Sequence, residues 1–165
     1  ELFDGCRQSF DLKFIDWEQP ENNICQVTDE FSVERANGKY ARPDIVLLVN
    51  GIPLVVIECK KSGVDVEEGV DQNVRNCKPE FIPHLFKFVQ IVMAMNPNAV
   101  KYGACGTPSE YFSVWREKDY HWQQEKCKNV SPDGQVIEQD RVIVSMLSKE
   151  RLLELIRYFI LYETI

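Results

Sequence analysis

Two short apolar runs on either side of Asn50-Gly51 constrain this chain more than any other feature. Residues 44–49 (Asp-Ile-Val-Leu-Leu-Val) and 54–58 (Leu-Val-Val-Ile-Glu) are β-branched and almost wholly apolar. That is the pattern of central strands covered on both faces. Asn-Gly favours a tight hairpin turn, so the two runs are read as paired neighbours in the middle of a sheet.

The far ends of the hairpin are polar. Arg42-Pro43-Asp44 opens the first strand, and Ile57-Glu58-Cys59-Lys60 closes the second. Alternate residues of a strand face one side, so Glu58 and Lys60 project together and Cys59 points away. Asp44 joins them only in the right register. A two-residue loop would pair Asp44 with Ile57 and turn it to the wrong face, whereas a loop of three residues (50–52) or five (49–53) sets it opposite Glu58. Pro53 has no N–H to give the ladder, which favours the longer loops. An odd-length loop is therefore expected.

In that register two carboxylates and an ammonium converge at one end of the sheet. Hard divalent cations take carboxylate and carbonyl oxygens with water, so the cluster suits magnesium. Asp44 and Glu58 would supply side-chain oxygens and Cys59 its backbone carbonyl. Lys60 could orient a water or stabilise charge on a phosphate. The plainer alternative is a surface ion pair Glu58–Lys60 ending a strand, with Pro43-Asp44 as a turn.

Around this hairpin the pattern is mixed. Strands are expected over 14–17, 24–35, 88–95, 99–105 and 111–116. Val66, Val70, Val74 and Cys77 recur at helical spacing over 65–77. Pro79 is read as opening a second helix, with Phe81, Ile82, Leu85, Phe86 and Val89 in one stripe. Residues 117–140 read as a polar loop that includes Ser131-Pro132-Asp133-Gly134. Ser148 can cap a last helix over 149–163, burying Leu152, Leu155, Ile156, Phe159 and Ile160. Tyr111 and Trp115 are expected in the core, and His84 and His121 to be structural or exposed. Asp65, Glu67 and Glu68 complement a helix N-terminus. The order implies one α/β domain over 1–165, a central mixed sheet flanked by helices.

Composition narrows the function. Nothing is long and apolar enough to span a membrane, and the first residues do not form a signal peptide. The six cysteines, at 6, 25, 59, 77, 105 and 127, include no C-x-x-C pair. Zinc is disfavoured, and reduced thiols in a cytoplasmic protein are expected. The net charge of −7 disfavours a self-sufficient DNA binder, because non-specific affinity comes from neutralising phosphates.

The stretch from Asn22-Asn23 to Lys60, above all RPDIVLLVNGIPLVVIECK (42–60), resembles the N-terminal PD-(D/E)xK nuclease domain of the restriction (R) subunit of type I restriction–modification enzymes. The resemblance continues through YGACGTPSEYFSVW (102–115) and into the last helix. It implies a restriction-endonuclease-like core and magnesium-dependent cleavage of double-stranded DNA, with manganese able to substitute. Asp44 and Glu58 would be metal ligands and Lys60 the catalytic lysine. The family often has Gln-x-x-x-Tyr on the next helix; Gln72 matches, while Asn76 stands in the tyrosine position, which leaves its role open. Arg35, Lys39, Arg42 and Lys61 flank the site as candidates for phosphate contact.

The resemblance also implies methyltransferase (M) and specificity (S) subunits as partners and an ATP-driven translocase. No G-x-x-x-x-G-K-[ST] loop occurs in this chain, so ATP is expected to be used elsewhere in a larger subunit. The chain is read as a portion of that subunit, without its N-terminal helices. Two alternatives stay open: a repair or recombination nuclease of the same fold, and a non-catalytic docking module.

Overall fold

The structure, a computed structural model, describes residues 12–131 and 134–162, together with the backbone of 2–3 and 6–7. Pro132 and Asp133 of the expected 131–134 turn, and residue 163 at the expected end of the last helix, lie outside the described residues.

Strands β1 (Leu2–Phe3) and β2 (Cys6–Arg7) form a small ribbon. Next come β3 (Cys25–Asp29), β4 (Val33–Glu34), β5 (Tyr40–Ala41), β6 (Ile45–Val49) and β7 (Ile52–Cys59). Helix α1 (Glu67–Asn76) leads to β8 (Ile91–Asn96) and β9 (Ala99–Ala104), and α2 (Tyr120–Cys127), α3 (Glu138–Leu147) and α4 (Lys149–Tyr158) follow. The central sheet runs β3-β6-β7-β8-β9. All its pairs are antiparallel except β7 with β8, which is parallel and reached by the crossover through α1.

The alternation of β6, β7 and β8 explains the layers. Val46, Val56, Val92 and Ala94 pack under α1 and the segment that follows it. Val55, Ile57, Met93 and Met95 pack under α3 and α4. Val55 and Val56 face opposite sides and both are fully buried; burying a side chain of this class contributes about 1.5–3 kcal/mol. Helices on both faces of a five-stranded mixed sheet make the restriction-endonuclease-like α/β core expected from sequence. Among the described residues no helix is long and apolar enough to cross a membrane, and the five described cysteines are free.

Several elements differ from expectation. Residues 14–17 are irregular, and the 24–35 strand breaks after Asp29. Helix is absent from 79–84; only a 3-10 turn, Leu85–Lys87, forms. Pro79 and Pro83 lack N–H groups, and the Ile82 N–H is drawn back to the Asn76 carbonyl at 3.2 Å. The apolar stripe is nonetheless buried at Ile82, Leu85, Phe86 and Val89. In place of a strand at 111–116 there is one bridge, Tyr102 with Ser113. Tyr111 is 67% exposed, so it is not a core residue, whereas Trp115 packs edge-on against Tyr102.

The polar stretch 117–140 contains α2, whose first turn is capped by the Asp119 carboxylate accepting the Trp122 N–H at 2.9 Å. It also holds the start of α3, where Asp140 accepts the Ile137 N–H at 3.1 Å. Helix α4 ends at Tyr158, and Phe159 is 70% exposed rather than buried. Ser148 makes no side-chain cap; its carbonyl accepts the Leu152 N–H.

Candidate active site

Asn50 and Gly51 have φ of 52° and 81°, the positive values that a two-residue type I′ turn requires. The expected odd-length loop is therefore incorrect. Val49 pairs with Ile52 and Leu48 with Pro53, but Leu47 then pairs with Val55. Leu54 is a β-bulge: successive residues Leu54 and Val55 both enter the core under α3 and α4. The Leu54 carbonyl is satisfied by the Gln90 N–H at 2.8 Å. Pro53, with no N–H, sits beside the irregularity, where strands tolerate proline. Beyond the bulge Ile45 pairs with Ile57. The next pair outward sets Asp44 against Glu58, which is the register the shared face needs.

Four polar contacts then organise this end of the sheet. Asp44 Oδ2 accepts the Cys59 backbone N–H at 2.7 Å. Gln72 Nε2 donates to Glu58 Oε2 at 2.5 Å, and Asn76 Nδ2 donates to Glu58 Oε1 at 3.1 Å. Lys60 Nζ donates to Gln72 Oε1 at 2.7 Å. One turn of α1 therefore holds both oxygens of Glu58 and links that carboxylate to the lysine. The helix can do this because Gly69 lets it lie close on the sheet: a Cβ there would come within 2.9 Å of the Ala94 Cβ. Asn73 anchors it further, donating to the Met93 carbonyl at 2.8 Å.

Glu58 is completely buried. Burial, and next the neighbouring Asp44 charge, push its carboxyl up to about 8, against the opposing pull of Lys60 and Arg75. The half-buried Asp44 and the buried Glu58 stand side by side at this end of the sheet, a pair of oxygen donors of the kind that hard cations take. Among the described residues no three His, Cys, Asp or Glu side chains gather round one point. Two carboxyl groups, with amide rather than imidazole or thiol groups hydrogen-bonded to them, would fit a hard cation that keeps several waters.

A model of the family described as "Type I restriction enzyme R protein N terminus" matches residues 3–111. This chain belongs to that family. Among relatives of these R-protein N-termini, a Methanocaldococcus jannaschii protein provisionally named type I restriction enzyme MjaIXP endonuclease subunit is 28% identical over 92% of the chain and 16% of the relative. A second from the same organism, provisionally named MjaVIIP endonuclease subunit, is 34% identical over 92% of the chain and 13% of the relative. The type I restriction enzyme HindI endonuclease subunit of Haemophilus influenzae is 26% identical over 92% and 14%. The chain thus spans less than a fifth of the length of the curated relatives it matches.

Within this R-protein N-terminus the sequence-derived candidates separate. Asp44, Glu58, Lys60 and Gln72 come together. Asn76, left open by the sequence, is buried against Glu58; its spacing of four residues from Gln72 was the available signal. Arg35 lies over the Phe81 ring, 4.2 Å from its centroid. Arg42 pairs with Glu30 at 3.6 Å, both exposed, while Lys39 and Lys61 are exposed. His84 and His121 are exposed, as expected. Arg75 and Lys78 were not singled out by sequence, yet they line the cleft that also contains Lys60 and Gln72.

Proposed function

We propose that this chain is the nuclease module of a type I restriction enzyme R subunit and hydrolyses DNA phosphodiester bonds with magnesium. The observation that carries this reading is the bulge at Leu54, which puts Asp44 beside Glu58 while Gln72 ties Glu58 to Lys60. Asp44, Glu58 and the Cys59 carbonyl would hold magnesium, or manganese in its place. Such an ion supplies Lewis-acid polarisation of the phosphate and a more acidic water.

The chain's own groups supply the rest. Gln72 fixes the Lys60 ammonium at 2.7 Å, so the charge is already in position to stabilise the negative charge that develops on the phosphate oxygens. Asn76 and Gln72 hold Glu58 in one orientation, and the Cys59 N–H does the same for Asp44. ATP-driven translocation and choice of target are assigned to other parts of the enzyme: motor domains, methyltransferase and specificity subunits.

Nicking of supercoiled plasmid tests the reading. The chain is expected to nick in magnesium or manganese and not in chelator, and Lys60→Ala is expected to lower the rate by about 10²-fold or more. No metal-dependent nicking, or nicking undiminished in Lys60→Ala, would favour a docking module with a nuclease fold.

A further inference from the structure

Outside the carboxylates, along α1, lies an open cleft of about 610 Å3 that contains Lys60, Gln72, Arg75 and Lys78, with Glu68 and Asp71 a turn earlier on the helix. Its basic end is built, not scattered. The Arg75 guanidinium lies over the Phe81 ring, 5.0 Å from its centroid, and Arg35 reaches the same ring from the β4–β5 turn at 4.2 Å. Arg35 is fixed further by donating Nε and Nη2 to the Glu80 carbonyl, at 3.3 and 3.1 Å.

Two guanidiniums on one ring repel each other, and neither forms a salt bridge among the described residues. Arg35, Lys60, Arg75 and Lys78 form no salt bridge among the described residues, and they differ from other unbridged cations of the chain in gathering around one ring and one cleft. Four cations brought together beside one cleft, two of them on a single aromatic ring, favour an anion from outside. Planar guanidiniums held by an aromatic ring keep a fixed orientation. Arg75 presents its fork of donors, and Arg35, with Nε and Nη2 on the Glu80 carbonyl, presents Nη1, an arrangement that suits phosphate oxygens.

We propose that Arg35, Arg75 and Lys78 form a phosphate track that carries the DNA backbone away from Asp44 and Glu58. The identity of the anion rests on the nuclease reading. Each phosphate contact releases counterions, so the track sets affinity and its salt dependence without selecting sequence.

The test is fluorescence anisotropy of a short labelled DNA duplex, in chelator and at several salt concentrations. The 165-residue chain is compared with Arg75→Gln/Lys78→Gln and with Lys118→Gln/Lys126→Gln, a control of equal charge change around α2. The first pair is expected to weaken binding by about tenfold or more and to lower the slope of log K against log salt by about two, at roughly 0.9 per phosphate lost. The control is expected to match wild type. Four results would overturn the track: no duplex binding by wild type at low salt, no change in the first pair, an equal loss in the control, or displacement of the duplex by polyglutamate at equal charge, which would assign the patch to an acidic polypeptide. Because metal is absent, the outcome is separate from that of the nuclease reading: Asp44→Asn is expected to keep duplex binding here even though it abolishes manganese binding.

Discussion

Asp44 is tied to Cys59 across the hairpin: its Oδ2 accepts the Cys59 N–H at 2.7 Å. That bond holds one carboxylate at the end of β7, beside Glu58, and satisfies a backbone donor that would otherwise lack a partner. An amide oxygen can accept the same bond, whereas a methyl group cannot. Asp44→Asn is therefore expected to melt at or above the wild-type temperature without metal, since it also removes a charge facing Glu58. Asp44→Ala is expected to lose about 1–3 kcal/mol through the unsatisfied N–H. Thermal melts in chelator check the ordering; equal melting of the two variants would contradict it.

Asn76 stands where the family often has tyrosine, yet it is buried and donates to Glu58 Oε1 at 3.1 Å. Groups that orient a metal-binding carboxylate typically affect affinity by about 10–100-fold. Asn76→Ala is expected to weaken manganese binding by about tenfold, and Asn76→Gln to restore less than half of the lost binding energy because its longer amide does not fit the same space. Titration calorimetry of the two variants decides this, and wild-type affinity in Asn76→Ala would show that the contact is incidental.

Gly69 sets how close α1 lies to β8. A Cβ there would stand 2.9 Å from the Ala94 Cβ and 3.6 Å from the Glu58 Cβ. Gly69→Ala is expected to cost about 1–3 kcal/mol by overpacking and to weaken manganese binding by lifting Gln72 and Asn76 from Glu58. Adding Ala94→Gly opens the space and is expected to restore most of both. Denaturant melts of the single and double variants measure the coupling.

The Glu58 carboxyl is raised from 4.5 to about 8, chiefly by burial. Between those values the folded chain holds a proton that the unfolded chain releases, so the contribution is full below about 4.5 and is lost as pH rises through about 8. The melting temperature of metal-free protein is expected to fall across that window, and Glu58→Gln to flatten the fall. Manganese affinity runs the other way, rising about tenfold per pH unit towards pH 8 as binding displaces the proton. An unchanged slope in Glu58→Gln would assign the pH dependence to another group.

How much of this could be read from sequence depends on the range of the forces involved. The hairpin was legible because β-branched runs flanking Asn-Gly are a local signal, and so was the shared face of Glu58 and Lys60, which needs only strand alternation. The bulge was not: Leu54 is released from β6 and bonded instead to Gln90, a residue far along the chain. Helix α3 was hidden because Val142-Ile143-Val144 is strand-like by itself; it is helical because Val142 and Met146 fill the core under the sheet. The Phe81–Val89 stripe gave correct burial at four positions, while two prolines prevented the helix it implied. At the site, the spacing of Gln72 and Asn76 was visible in advance. The pairing of Arg42 with Glu30 and the meeting of Arg35 with Arg75 on Phe81 depend on how distant segments fold back.

Asp44 and Glu58 are proposed to form one divalent-cation site, and the deciding measurement is calorimetric titration of manganese into wild type and Asp44→Asn at pH near 8. Asparagine keeps the Cys59 hydrogen bond and removes only the charge, so a difference between the two proteins belongs to the ligand and not to the fold. Stoichiometric binding by wild type that disappears in Asp44→Asn is the result expected. Binding of equal strength in both, or none in either, would mean that Asp44 and Glu58 do not share a cation.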